Sequence, residues 1–212
     1  MADKEKQGKA VADGRKRCWG DVEGGLMREY HDREWGTLLH DDRKIFEFLI
    51  LEGMQAGLSW RMVLDKRENF RRAFRGFDPV KVARFTARDV RRLLGDAGII
   101  RNRLKILAAI NNARRFIEVQ KEFGTFDRYI WGFVGGKPMR NRLRSFTDMP
   151  ARTPLSDRIS ADLKARGFKF VGSTVIYAHM QATGMVNDHL VTCFRYKELA
   201  EQIKTELRLG FL

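Results

Sequence analysis

Two sets of residues in this chain have types and spacings that suit chemistry. The first is Cys18, His31, His189 and Cys193, which includes the only two cysteines in 212 residues. Thiolate and imidazole together suit a tetrahedral metal. His189 and Cys193 are four apart, a spacing that places two ligands on one helix face. Cys18 and His31 are 13 apart and form no tight knuckle. Read without a metal, the same residues are free thiols and ordinary histidines, since a disulfide is disfavoured in a reducing compartment. The second is Glu52, which falls at helical spacing from Ile45, Phe48 and Leu49. A carboxylate on an apolar stripe is expensive to bury unpaired. Either it pairs with an arginine or caps nearby backbone, or it accepts hydrogen bonds from a ligand in a pocket walled by Tyr30, Trp35, Trp60 and Trp19, aromatics that otherwise read as core.

The elements that position these groups are helical. Residues 46–60 are apolar on every side, as expected of a buried helix, with Glu47 at its outer edge. Asp41 or Asp42 caps it, Gly53 and Gly57 allow close backbone approach, and Ser59-Trp60 ends it. Further helices are expected over 65–74, from Asp78-Pro79 onward, over 88–94, 105–119, from Ser156 to 165 and over 174–183. Asn187-Asp188-His189 opens the closing one. Between them, residues 98–105 form a tight turn that leads into a helix N-terminus. Unpaired amides and the helix dipole make such a terminus an anion site, and Arg101, Arg103 and Lys105 make DNA phosphate its natural guest. An ordinary connector is the competing reading. A basic loop with Arg140, Arg142 and Arg144 follows Gly135-Gly136-Lys137-Pro138. His40 reads as a surface histidine and His179 as a core one. No repeat and no run of alternating strands is present, so the fold class is all-α.

Composition narrows the partners. With 41 Lys+Arg against 27 Asp+Glu, the net charge is +14 and the pI about 10.2. That favours a polyanion, nucleic acid ahead of an anionic membrane. No apolar run approaches a membrane span, and a cytosolic location is expected. Residues 1–16 read as a disordered basic tail, with one folded domain over 17–212.

Several motifs together resemble the 3-methyladenine DNA glycosylase I family. They are Tyr30-His31-Asp32-Arg33-Glu34-Trp35-Gly36, Leu51-Glu52-Gly53-Met54-Gln55-Ala56-Gly57-Leu58-Ser59-Trp60, Ile99-Ile100-Arg101-Asn102-Arg103, Gly167-Phe168-Lys169-Phe170-Val171-Gly172 and Asn187-Asp188-His189. The resemblance runs from about residue 17 to 194. It implies a helix-hairpin-helix DNA glycosylase, a hydrolase that excises 3-methyladenine from alkylated double-stranded DNA and acts as a monomer. It also implies a structural zinc ion on Cys18, His31, His189 and Cys193. In the base pocket it places Glu52 and Tyr30 as catalytic, and Trp60 and Trp35 as substrate-binding; Trp19 is added as substrate-binding from the aromatic set around Glu52. Gln55, Gly57 and Leu58 would enter the DNA groove. The hairpin near 93–106 would meet phosphate through Gly98, Arg101, Arg103 and Lys105, with Ile100 where the wider superfamily often has a second glycine. Two positions depart from the family pattern: Gly20 stands two residues after the first cysteine, where an aromatic is usual, with Trp19 preceding it, and Met27 replaces another aromatic. A lesion-binding module without turnover and a zinc-stabilised helical protein for acidic partners are the competing functions.

Overall fold

The computed structural model describes residues 13–18 and 25–209. In chain order its helices are α1 (Leu26–Arg33), α2 (Asp42–Gln55), α3 (Trp60–Asp65), α4 (Arg67–Ala73), α5 (Pro79–Ala83), α6 (Ala87–Gly95), α7 (Arg103–Phe123) and α8 (Phe126–Gly132). Strand β1 (Met139–Arg140), α9 (Pro154–Ala165), α10 (Ser173–Ala182), strand β2 (Val186–Asn187) and α11 (Phe194–Leu209) follow. The strands form one short parallel pair, Met139 opposite Val186 and Arg140 opposite Asn187. The helical class expected from the sequence therefore holds, with this pair added.

Residues 39–135 and 152–179 form one compact unit. Its helices start where the side chains dictate. Asp41 accepts from the Lys44 amide at 2.8 Å to open α2, and Asp78 accepts from Val80 and Lys81 ahead of Pro79. An oxygen acceptor at the N-cap satisfies amides the helix leaves unpaired. Phenylalanines then close the core. Phe46 on α2 meets Phe116 on α7 edge to face at 5.1 Å, and Phe116 stacks on Phe126 at 4.0 Å. Phe70, Phe74, Phe77 and Phe85 fill a second cluster under α4 and α5.

The other unit joins the two ends of the chain with residues 136–151. The Phe194 amide donates to the Lys16 carbonyl at 3.0 Å, and Gly36 N–H to Gln181 O at 2.9 Å. Gly184 makes a close approach: a Cβ there would meet the Thr37 carbonyl at 2.5 Å, and its φ is +74°. Only glycine fits both demands.

Several boundaries differ from expectation. The central helix stops at Gln55, because Gly57 takes φ +78° and Ser59 caps a new helix through the Met62 amide. The expected helix over 65–74 is split at Lys66 between α3 and α4. Thr153 caps α9, and Ser156, the third residue of that helix, closes the capping box. Asn187-Asp188-His189 does not open a helix: α11 begins only at Phe194, and His189 to Cys193 is a turn closed by the Cys193 amide on Leu190 O. The basic tail expected over 1–16 lies mostly outside the described residues.

Candidate functional site

In the unit built from the chain ends, four side chains converge. The ligand atoms of Cys18, His31, His189 and Cys193 all lie within 4.8 Å of one another, and all four residues are buried. Cys18 Sγ is 3.1 Å from His31 Nε2 and 3.3 Å from His189 Nδ1, and Cys193 Sγ is 3.5 Å from each. The turn at 189–193, rather than a helix face, brings His189 beside Cys193.

The remaining ring nitrogens are held from behind. His31 Nδ1 is 2.7 Å from Asp32 Oδ1, and His189 Nε2 is 3.0 Å from the Trp35 carbonyl. An imidazole that donates its second N–H to an oxygen presents its other nitrogen as a lone pair, the usual support of a ligating histidine. Asp32 is fixed in turn by Arg17, whose Nη2 is 2.7 Å from Oδ2. Arg17 and His31 hold the Asp32 carboxyl below its ordinary range, although burial opposes them. Burial lowers the basicity of His189. The Cys193 thiol is likewise held far below the usual range, first by Cys18 and then by the imidazoles, with burial opposing. Neutral imidazole and thiolate are the forms a cation requires. The donor set and its supports fit a tetrahedral metal.

Asn187-Asp188-His189 is locked by its own contacts. Asp188 accepts from Asn141 Nδ2 at 2.6 Å and from Gln181 Nε2 at 2.7 Å, while Asn187 Oδ1 accepts from the His189 amide at 3.1 Å. In the same unit Tyr30 sits on α1, 3% exposed, and Trp35 just after it, 6% exposed. Trp35 packs edge-on to His189 at 4.5 Å and stacks at 6.3 Å from His31. Met27 is half-buried on α1. Trp19 and Gly20 lie outside the described residues.

The other unit carries the carboxylate. Glu52 is 4% exposed, and among the described residues it has no hydrogen bond or ion pair. Burial alone raises its pKa from 4.5 to about 8. The arginine-partner reading belongs instead to Glu47, on the same helix. Glu47 was expected at the outer edge but is 6% exposed, with Oε1 2.5 Å from Arg67 Nε and 2.8 Å from Arg71 Nη2. Gln55 ends α2, half-buried, and Gly57 and Leu58 turn outward, Leu58 37% exposed. The Leu58 amide donates back to Gln55 O. Trp60, the first residue of α3, is half-buried.

The turn between α6 and α7 is shaped by Gly98. Its amide donates to Asp96 Oδ1 at 2.8 Å and its carbonyl accepts from Asn69 Nδ2 at 3.1 Å. A Cβ at this position would come within 3.0 Å of both side chains. Asn102 then caps α7 through the Lys105 amide, and Arg101 and Arg103 are exposed. Lys105 departs from its expected role. It is 7% exposed, and its ammonium donates to Met54 O at 2.8 Å and Ala56 O at 2.6 Å. Those carbonyls end α2, where the dipole favours a cation. A phosphate cannot reach a lysine committed in this way. The residue ties the start of α7 to the end of the Glu52 helix, a role not assigned from sequence.

A family model described as methyladenine glycosylase matches residues 19–196. The chain is 48% identical over 181 residues to DNA-3-methyladenine glycosylase 1 of Escherichia coli (strain K12), covering 85% of this chain and 97% of that protein. A crystal structure of 3-methyladenine DNA glycosylase I superposes with TM-score 0.82 at 48% identity, covering 84% of this chain and 98% of that one. A Staphylococcus aureus 3-methyladenine DNA glycosylase I, solved for its recognition of 3-methyladenine, superposes with TM-score 0.79 at 34% identity over 81% of this chain and 92% of that one. With a family match spanning most of its length and relatives covered almost end to end, the chain belongs to the methyladenine glycosylase family.

Proposed function

We propose that the protein is a DNA repair N-glycosylase that flips 3-methyladenine out of alkylated duplex DNA and hydrolyses its glycosidic bond. The observation that carries this reading is Glu52, a buried carboxylate with no hydrogen bond or ion pair among the described residues. Methylation at N3 makes adenine cationic, so the base is already a good leaving group and unstacks at reduced cost. The chain then has to hold the cation. Glu52 accepts hydrogen bonds from the adenine edge and stabilises the positive charge in a dry site, where a charge-assisted bond is strong. The roles carried over for Tyr30, Trp35 and Trp60, with Trp19 from the same aromatic set, give this base its aromatic contacts, which favour a cation. An unmodified base brings no charge and leaves the carboxylate unpaired, which is the basis of discrimination. Glu52 acts in recognition and electrostatic stabilisation, with no role assigned in activating water.

Gln55, Gly57 and Leu58 fill the space the base vacates. Arg101 and Arg103 hold a phosphate. Gly98 N–H is already taken by Asp96, so the amides of Ile100 and Arg101 and the first turn of α7 complete that contact. The metal at Cys18, His31, His189 and Cys193 is zinc, and its contribution when bound is to cross-link the two ends of the chain. We treat 17–212 as a single working unit that acts as a monomer.

Incubation with N-methylated DNA, followed by identification of released bases, tests the function. Free 3-methyladenine is expected. Binding to the lesion without release would leave only a lesion-binding module, and neither release nor binding would remove DNA from the account.

A further inference from the structure

The base site and the hairpin leave one basic feature unused. Residues 137–144 carry Lys137, Arg140, Arg142 and Arg144, all exposed. None of the four has a carboxylate within ion-pair distance among the described residues. Other arginines of the chain, Arg33 and Arg115 among them, do have such a partner. Two acids lie nearby, and both are engaged: the Asp148 carboxylate accepts from the backbone amides of Arg144 and Ser145 at 3.0 and 2.9 Å, and buried Asp188 accepts from Asn141 and Gln181.

The segment is also held in shape. The Met139 amide donates to Met185 O, the Asn141 amide to Asn187 O, and the Val191 amide to Leu143 O. Leu143 is buried, at 8% exposure, and Asn141 reaches in to Asp188. Asn141 and Leu143 turn inward, while Arg140, Arg142 and Arg144 are exposed. Alternate residues of an extended chain recur roughly every 6.7 Å, a spacing comparable to that of successive phosphates along a nucleic-acid strand. Arg140 is steadied further by lying over the Tyr196 ring, 4.2 Å from its centroid. Met139 and Phe146, 40% and 37% exposed, flank the row.

We propose that residues 137–144 are a second phosphate-binding surface, separate from the hairpin, which grips the DNA backbone without reading sequence or damage. An arginine row whose backbone is pinned by buried contacts loses little freedom on binding, and each guanidinium matches a phosphate bidentately. The choice of DNA as the polyanion rests on the glycosylase reading. The contact itself is tested on undamaged duplex, so it stands or falls separately from base excision.

The experiment compares the parent with the triple variant Arg140→Gln, Arg142→Gln, Arg144→Gln, and with a control triple variant at exposed lysines, Lys81→Gln, Lys121→Gln, Lys164→Gln. Affinity for undamaged duplex is measured across a salt series, with melting temperature as a check on folding. The arginine variant is expected to bind about tenfold or more weakly near 0.1 M salt and to lose about two to three from the slope of log affinity against log salt. The control should change the slope by less than one. Single-turnover excision at saturating enzyme should be unchanged in both, which places the row outside the base pocket. An unmoved slope in the arginine variant, or equal losses in the two variants, overturns the proposal. So does an arginine variant that loses affinity for vesicles rich in anionic lipid while keeping its affinity for duplex. If the parent releases no 3-methyladenine yet the slope difference appears, the glycosylase reading fails and the phosphate surface survives.

Discussion

Replacing Glu52 with glutamine is the most informative single change, because structural and functional readings of the residue give opposite signs. The carboxyl is raised from 4.5 to about 8 by burial alone. A raised carboxyl favours the protonated folded state, so this contribution to stability is fully present below the unfolded value. It is lost as pH rises through the folded value of about 8. The full swing is on the order of 5 kcal/mol, from about 1.4 kcal/mol for each tenfold change in proton affinity. Glutamine has nearly the same shape and no proton to lose. Denaturant unfolding of parent and variant should therefore agree near pH 5, while near pH 9 the variant should be the more stable by a few kcal/mol. Comparing the two proteins cancels the titration of every other group.

Activity should move the other way. A cationic base brought against Glu52 draws the proton off and supplies the missing partner. The variant forfeits that charge-assisted bond, worth roughly 1.5–3 kcal/mol, and should excise 3-methyladenine tenfold to over a hundredfold more slowly. Zinc content and affinity for undamaged DNA should be unchanged. A Glu52→Gln protein that melts lower than the parent at high pH and retains full excision would refute both the burial argument and the pocket assignment.

Three further outcomes are expected. Elemental analysis should find about one zinc per chain. Cys18→Ser should lose it and melt several degrees lower without unfolding outright, since structural zinc is worth on the order of 10 kcal/mol in small peptides but here supports a chain with its own core. Arg101→Ala should weaken binding to all duplexes alike and lower the salt slope by about one; an unchanged slope would show that the hairpin is not on a phosphate. Lys105→Met should leave the salt slope untouched, because its ammonium lies on Met54 O and Ala56 O. It should lower stability by about 1–3 kcal/mol and slow excision by loosening the turn at 55–59; a slope change in this variant would return Lys105 to the DNA.

The grouping of Cys18, His31, His189 and Cys193 was readable from sequence because so few residues could compete for it: two cysteines and four histidines admit few combinations. Its local geometry was not readable. A spacing of four suits a helix, but it suits a tight turn as well, and the turn at 189–193 depends on Asn141 and Gln181 contacting Asp188, 47 and 7 residues away along the chain. Lys105 could have been recognised. Lys105, Ala109, Asn112 and Phe116 recur at helical spacing on the buried side of α7, and a cation on that stripe must find acceptors. Its positive charge and its nearness to Arg101 and Arg103 pulled the reading toward phosphate. Glu47 was misplaced for a different reason: its partners Arg67 and Arg71 come from α4, and nothing within α2 announces them.

Glu47 and Glu52 also provide an internal comparison. They lie five residues apart on one helix and are equally inaccessible, at 6% and 4% exposure. Among the described residues, two guanidinium groups satisfy Glu47 and none meets Glu52. The chain is not short of cations, since it carries 41 lysines and arginines. A resident cation at Glu52 would relieve the burial cost and would also occupy the place of a positively charged base. An acid left unpaired is destabilising in the empty protein and becomes favourable only when a ligand brings the charge. Introducing a permanent partner should therefore reverse both properties together. If a variant that places an arginine against Glu52 gained stability at alkaline pH and still excised 3-methyladenine at the parental rate, the carboxylate would have no part in recognising the cation.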